Sequence, residues 1–260
     1  RPISRGFDRY YGTTTGGVFY DLTSTGKTRE LFLDDTLLAN HNADLPEGFY
    51  STHAFTDYAV QFIDEAREAD KPFFLYVPFN APHDPMQAKK ADLAKYATVK
   101  DEKRRIYSAM VDSMDQAIGV VLSALAEKDI AENTFVLFFS DNGALRWGNN
   151  KPWRSGKGSV YEGGVRTPAL VRWPAGGLKD GAKIDGMMGM IDVYPTLKRL
   201  AEVKSKDRNR IDGIDVLDVM RGKKDAPKRD WFSYIGQGRP EQIALCDDTW
   251  KLVVTGGSVL

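Results

Sequence analysis

Cysteine is almost missing from these 260 residues. Cys246 stands alone, which excludes an intrachain disulfide framework and a multi-cysteine zinc site. Net charge is missing too: 36 basic and 36 acidic side chains cancel. Nothing therefore points to nucleic acid or an anionic membrane surface as a partner, and any anion site must be local. Long apolar runs are lacking. FFLYVPF (73–79) and TFVLFF (134–139) fall far short of the ~20 residues a bilayer crossing needs, so no membrane span is expected. The chain opens on Arg1 without a signal-like apolar segment, and it is read as a piece of a longer protein. What is present, 42% hydrophobic and 28% charged residues, is the composition of a soluble globular protein, sized for one large α/β domain or a domain with a small appendage.

Residues 1–50 show little periodicity and read as a long irregular segment over a scaffold. From Ser51, Phe55, Ala59, Phe62, Ile63 and Ala66 recur at helical spacing until Lys71-Pro72 ends the run. FFLYVPF then reads as a strand. A second helix follows with Tyr107, Met110, Val111, Met114, Ile118, Val121, Leu122 and Leu125 on one face, and the strand 134–139 comes after it. Apolar strands alternating with helices predict a parallel sheet covered on both faces. On that reading the C-terminal ends of both strands share one edge, where Asn80-Ala81-Pro82-His83-Asp84 and Ser140-Asp141-Asn142-Gly143 become neighbours. A loop dense in Gly, Trp, Lys and Arg (143–166) leads to a third strand, TPALVRW (167–173), and Asp192 is placed as the cap of a helix reaching Leu200. Beyond a turn-rich stretch, DWFSYI, QIALC and WKLVV predict a small antiparallel meander.

Chemistry-bearing residues are few. Asp141 and Asn142 end the strand 134–139; Asn-Gly signals a plain turn, but a carboxylate and a carboxamide at a sheet edge also suit Ca²⁺ or Mg²⁺, which prefer oxygen ligands. Two such ligands do not complete a shell of ~6–8 oxygens. His83, between Pro82 and Pro85, reads either as an exposed turn residue or as a proton donor to a leaving group, since imidazole changes charge near neutrality. Lys157 in SGKGSVYEGG is no P-loop lysine, because Lys151 and Gly158 stand where that pattern needs Gly and Ser or Thr. It reads as a solvated loop lysine or as a compact cation for a tetrahedral anion. Lys151, Trp153 and Arg154 read as surface loop residues, with the alternative of lining a pocket mouth. His41 and His53 read as surface or capping residues, and Cys246 as a half-buried strand residue.

RGFDRYYG (5–12), FFLYVPFNAPHDP (73–85), FFSDNG (138–143), GKGSVYEGGVRTPALVRWP (156–174), IDVYPTL (191–197), IDGIDVL (211–217) and DDTWKLV (247–253), in this order and spacing, resemble the formylglycine-dependent sulfatases of the alkaline-phosphatase-like superfamily. The resemblance implies an α/β sandwich with a mostly parallel central sheet flanked by helices. Residues 1–201 would be a partial catalytic domain and 202–260 a small C-terminal antiparallel subdomain. It also implies that Asp141 and Asn142 supply half of a Ca²⁺ (or Mg²⁺) site, that His83 contacts the sulfate ester and protonates the departing alcohol, and that Lys157 binds a sulfate oxygen.

The family's remaining metal ligands, an upstream lysine and histidine, and the Cys or Ser that becomes formylglycine belong before the position matched by Arg5-Gly6-Phe7-Asp8. The implied activity is hydrolysis of sulfate monoesters of aryl or carbohydrate substrates, in a periplasmic or extracellular setting, with this chain inactive by itself. A phosphodiesterase or phosphonate hydrolase of the same superfamily, and a non-catalytic homologue that binds sulfated glycans, are the rival readings.

Overall fold

The structure, a computed structural model, describes residues 1–13, 20, 22, 29–204, 209–236, 240–256 and 258–259. These fall into two compact units, Arg1–Ala131 and Glu132–Leu260.

In the first unit, the stretch expected to be irregular contains three short strands. β1 (Tyr11–Thr13), β2 (Leu31–Leu33) and β3 (Thr36–Ala39) form one antiparallel sheet in that order. Strands of three or four residues are too short for a two-residue alternation to stand out, which is why the sequence hides them. Asp34 makes the β2–β3 turn at φ 55°, a left-handed conformation that Asp tolerates better than most residues. Arg9 pairs with both Asp34 and Glu65, tying the turn to the next helix.

That helix, α1 (Ser51–Glu68), buries Ala59 and Ile63 as its periodicity predicts. After α2 (Lys90–Lys95) comes α3 (Glu102–Glu127), whose N-terminus is capped by the Asp101 carboxylate accepting from the Arg104 N–H at 2.7 Å. The buried seam of α3 is rotated from the expected face. Ala109, Met110, Ser113, Ala117, Ala124 and Leu125 are covered, whereas Leu122 is exposed. The seam is rich in small residues, as is that of α1 (Ser51, Thr52, Thr56, Ala59), and small side chains let packed helices approach closely. The other large residues of the expected face are buried or partly covered, and small residues take most of the deepest positions because size decides what fits a close neighbour. By length and composition α3 could cross a membrane, which short apolar runs did not foretell; here it packs against α1 and α2.

The segment 73–79 is the main correction to the expected sheet. It forms no ladder among the described residues, and Phe74 and Tyr76 are more than 60% exposed. Backbone can be extended without being a strand, because a strand exists only through a neighbour's hydrogen bonds.

In the second unit, β4 (Val136–Phe139) pairs antiparallel with β5 (Ala169–Arg172), not in parallel as expected, and both are shorter than the apolar runs that contain them. Between them lies the short α4 (Glu162–Val165). α5 (Val193–Leu200) starts after Asp192, but the Asp192 side chain does not cap it. Buried, the carboxylate accepts instead from the N–H groups of Gly189 and Ile214 and pairs with both terminal nitrogens of Arg229. Three chain segments thereby meet on one acid. α6 (Leu217–Met220) precedes the meander, which consists of β6 (Trp231–Ile235), β7 (Gln242–Cys246), β8 (Lys251–Thr255) and the short β9 (Ser258–Val259). Its inner face sets Ala244 and Val253 against Val160. Its outer face leaves Phe232, Tyr234, Leu245 and Leu252 exposed.

Candidate active site

Asp141 and Asn142 follow β4, whereas His83 and Lys157 sit in hydrogen-bonded loops. In the first unit, Ala81 is buried beside Tyr50 and Met110 and anchors the loop that carries His83. The His83 N–H closes a turn on Asn80 O at 2.9 Å, and Pro82 and Pro85 both follow cis peptide bonds. The ring is exposed, with Nδ1 2.7 Å from the Asp84 carbonyl oxygen. A carbonyl can only accept, so Nδ1 carries the proton in this contact. The neutral ring then offers a bare Nε2, and the protonated ring donates from it.

In the second unit, β4 delivers Ser140, Asp141 and Asn142 to its C-terminal end, and the Ser140 hydroxyl donates to Asn142 O at 3.0 Å. The Asp141 carboxylate is exposed, and among the described residues neither it nor the Asn142 carboxamide is engaged in a hydrogen bond or ion pair. Beyond them the loop 143–166 folds back on itself. Gly143 N–H donates to Gly164 O at 2.9 Å, and Lys157 N–H to Ala144 O at 3.2 Å. Asn150 closes the knot: its Oδ1 accepts from Ala144 N–H at 2.9 Å, and its Nδ2 donates to Ala144 O and Ser155 O. The glycines are sterically required, since a methyl group at Gly143 would collide with Gly163 O and one at Gly164 with Ser159 O.

The structure ties the Lys157 backbone to Ala144, two residues beyond Asn142, and it places His83 in the other unit. Among the described residues no three His, Cys, Asp or Glu side chains gather as a metal cluster. The two unengaged oxygen donors of Asp141 and Asn142 fit a hard cation in kind, as part of a shell.

Sequence reasoning passed over Asn150, which looked like one more polar residue in GNNKPW; only its fold-back contacts reveal it. It likewise passed over Glu162, whose carboxylate takes Lys251 of β8 at 2.7 Å and so joins the knot to the meander. Cys246 is half-buried with Sγ 3.6 Å from Trp231 O, and burial raises its thiol pKa, the opposite of what a nucleophile needs. His53 lies beside Lys89, and partial desolvation of the ring together with that ammonium lowers its pKa.

Comparison with known proteins settles the family. The family model described as Sulfatase matches residues 2–203. The chain belongs to the sulfatase family. Among its sulfatase relatives, arylsulfatase J of Mus musculus is 34% identical over 235 residues, 88% of this chain and 38% of the relative. N-acetylgalactosamine-6-sulfatase of Canis lupus familiaris is 30% identical over 233 residues, 85% and 43% respectively. A crystal structure of Ps i-CgsB in complex with k-i-k-neocarrahexaose superposes with a TM-score of 0.86 at 29% identity, covering 97% of this chain and 58% of that one. The fold is accordingly the α/β, alkaline-phosphatase-like fold of the sulfatases. The chain spans roughly two-fifths of the length of these curated relatives.

Proposed function

We propose that the protein containing this chain hydrolyses sulfate monoesters of aryl or carbohydrate substrates. One observation carries the reading: in a chain of the sulfatase family, the unengaged oxygens of Asp141 and Asn142 stand at the mouth of a loop knot in which the Lys157 N–H is bonded to Ala144 O, two residues beyond Asn142. In this reading residues 1–201 contribute to the catalytic domain and 202–260 form the small antiparallel subdomain. The end of the family match near residue 203 supports that division.

Asp141 and Asn142 would hold Ca²⁺, or Mg²⁺, together with ligands from outside this chain, and the ion when bound supplies positive charge to the sulfonyl oxygens. The nucleophile, a formylglycine in this reading, also lies outside this chain. The chain's own residues bind and move a proton. The Lys157 ammonium binds a sulfate oxygen as charge builds there, which favours the transition state over the ground state. His83, protonated and oriented by the Nδ1–H contact to Asp84 O, gives its Nε2 proton to the departing oxygen. A periplasmic or extracellular location follows from the same resemblance.

Release of 4-nitrophenol by the intact protein tests this. Turnover of 4-nitrophenyl sulfate well above that of bis(4-nitrophenyl) phosphate is expected, and no turnover from these 260 residues alone. The reverse preference would favour a phosphodiesterase or phosphonate hydrolase. Binding of sulfated glycan without any turnover would favour a non-catalytic homologue.

A further inference from the structure

His83 is exposed, and the two contacts that orient it are made inside its own loop: its N–H to Asn80 O at 2.9 Å and its Nδ1 to Asp84 O at 2.7 Å. Such contacts fix the ring relative to the loop. They do not fix the loop relative to the helices beneath it, and a proton donor misplaced by about 1 Å loses much of its effect.

Tyr50 holds the loop on both sides of His83. It is among the largest fully buried side chains, 1% exposed, and it shares one cluster with Met110 of α3 and with Ala81, two residues before His83. On the other side its hydroxyl donates to the carbonyl of Gln87, four residues after His83, at 3.2 Å, and Met86 and Ala88 lie against the same cluster. The segment 81–87 is thereby fastened at both ends to one side chain. Burial raises the phenol's pKa above its ordinary value, so the hydroxyl stays a neutral donor around pH 7.

The phenol is itself held. The Tyr50 carbonyl accepts from the N–H groups of His53 and Ala54 at the start of α1, both at 3.0 Å. Its ring centre lies 4.8 Å from that of Tyr20 and 5.4 Å from that of His53, the latter edge-on at 87°. His53 adds a second tether, since its Nδ1 stands 3.0 Å from the Lys89 Nζ, and that ammonium lies 5.7 Å from the Tyr50 ring centre. The chain leaving the His83 loop is thus tied to the first turn of α1 before it enters α2. A phenylalanine would fill the same core; only the hydroxyl reaches the stem of the loop.

We propose that Tyr50 is a positioning residue for His83, holding the loop 81–87 so that Nε2 meets the departing oxygen. This rests on the proton-donor role of His83 in the sulfatase reading, and it adds what sets that donor in place.

The test compares phenyl sulfate with 4-nitrophenyl sulfate in the intact protein, because the more basic phenolate needs a proton and 4-nitrophenolate does not. Tyr50→Phe is expected to lower kcat for phenyl sulfate about tenfold more than for 4-nitrophenyl sulfate, with KM little changed, and to add no such difference in a His83→Ala background. Where Tyr50→Phe does not fold, Lys89→Gln, which loosens the same stem without entering the core, carries the same comparison. Equal losses on both substrates, or a difference that persists in the His83→Ala background, mark a merely structural role and overturn the proposal. A His83→Ala protein that treats the two substrates alike overturns it too, since no acid is then being positioned. Where no sulfate ester is cleaved, the sulfatase reading falls and hydrogen exchange at the His83 amide decides: exchange about fivefold faster in Tyr50→Phe keeps Tyr50 as the residue that holds His83, and unchanged exchange overturns it.

Discussion

His83 and Lys157 are asked to do different things, and their variants should separate. His83→Ala removes a proton donor, and kcat on a sugar sulfate should fall by about 10²–10⁴, the usual weight of general acid catalysis. The loss should shrink on 4-nitrophenyl sulfate, whose leaving group needs no proton; steady-state kinetics on both substrates in the intact protein checks this. Lys157→Ala removes charge stabilisation and should lower both rates alike. Asp192 belongs to stability instead. Burial alone would raise its pKa, but Arg229 and the N–H groups of Ile214 and Gly189 hold it below the ordinary carboxylate range. A depressed carboxylate adds stability that is present above its unfolded pKa, about 3.9, and is lost as pH falls through the folded value. Asp192→Asn should therefore cost about 3 kcal/mol near pH 7, because Arg229 is left buried and unpaired, and the acid limb of the urea-denaturation profile should flatten.

Elements show where pattern reading succeeds and where it stops. α1 and α3 were legible because 18 and 26 residues carry several turns of periodicity, and the meander because its strands alternate between turn residues. β1, β2 and β3 were not, being too short to show a period. The segment 73–79 was misjudged because apolar, β-prone residues record a wish to pair and not the partner. The loop knot 143–166 was legible only as a glycine-rich stretch, since its close approaches are contacts between residues far apart on the loop. Gly143→Ala tests that packing. The added methyl collides with Gly163 O, so the knot must open, with a stability loss of about 1–3 kcal/mol and a fall in kcat/KM, read by thermal melting and kinetics.

At the scale of the whole molecule, the proposed roles make this chain one part of a cation shell and one part of a sulfate site. Ca²⁺ should raise the Tm of the intact protein, EDTA should reverse the rise, and Asp141→Ala should abolish it without unfolding the protein; differential scanning calorimetry with and without the ion reads all three outcomes.

By itself the sequence determined the kind of chemistry: which residues carry oxygen donors, an imidazole and an ammonium, where the long helices run, and, through the order of its motifs, the family. Those properties are local, written in side-chain identity and spacing. Only the tertiary structure decided the rest: that α3 buries its small residues, that the Asp192 carboxylate joins three segments instead of capping a helix, and that Asn150 draws Lys157 toward the end of β4. Each of these depends on which distant backbone group stands within 3 Å of a side chain, a distance that no spacing along the chain contains.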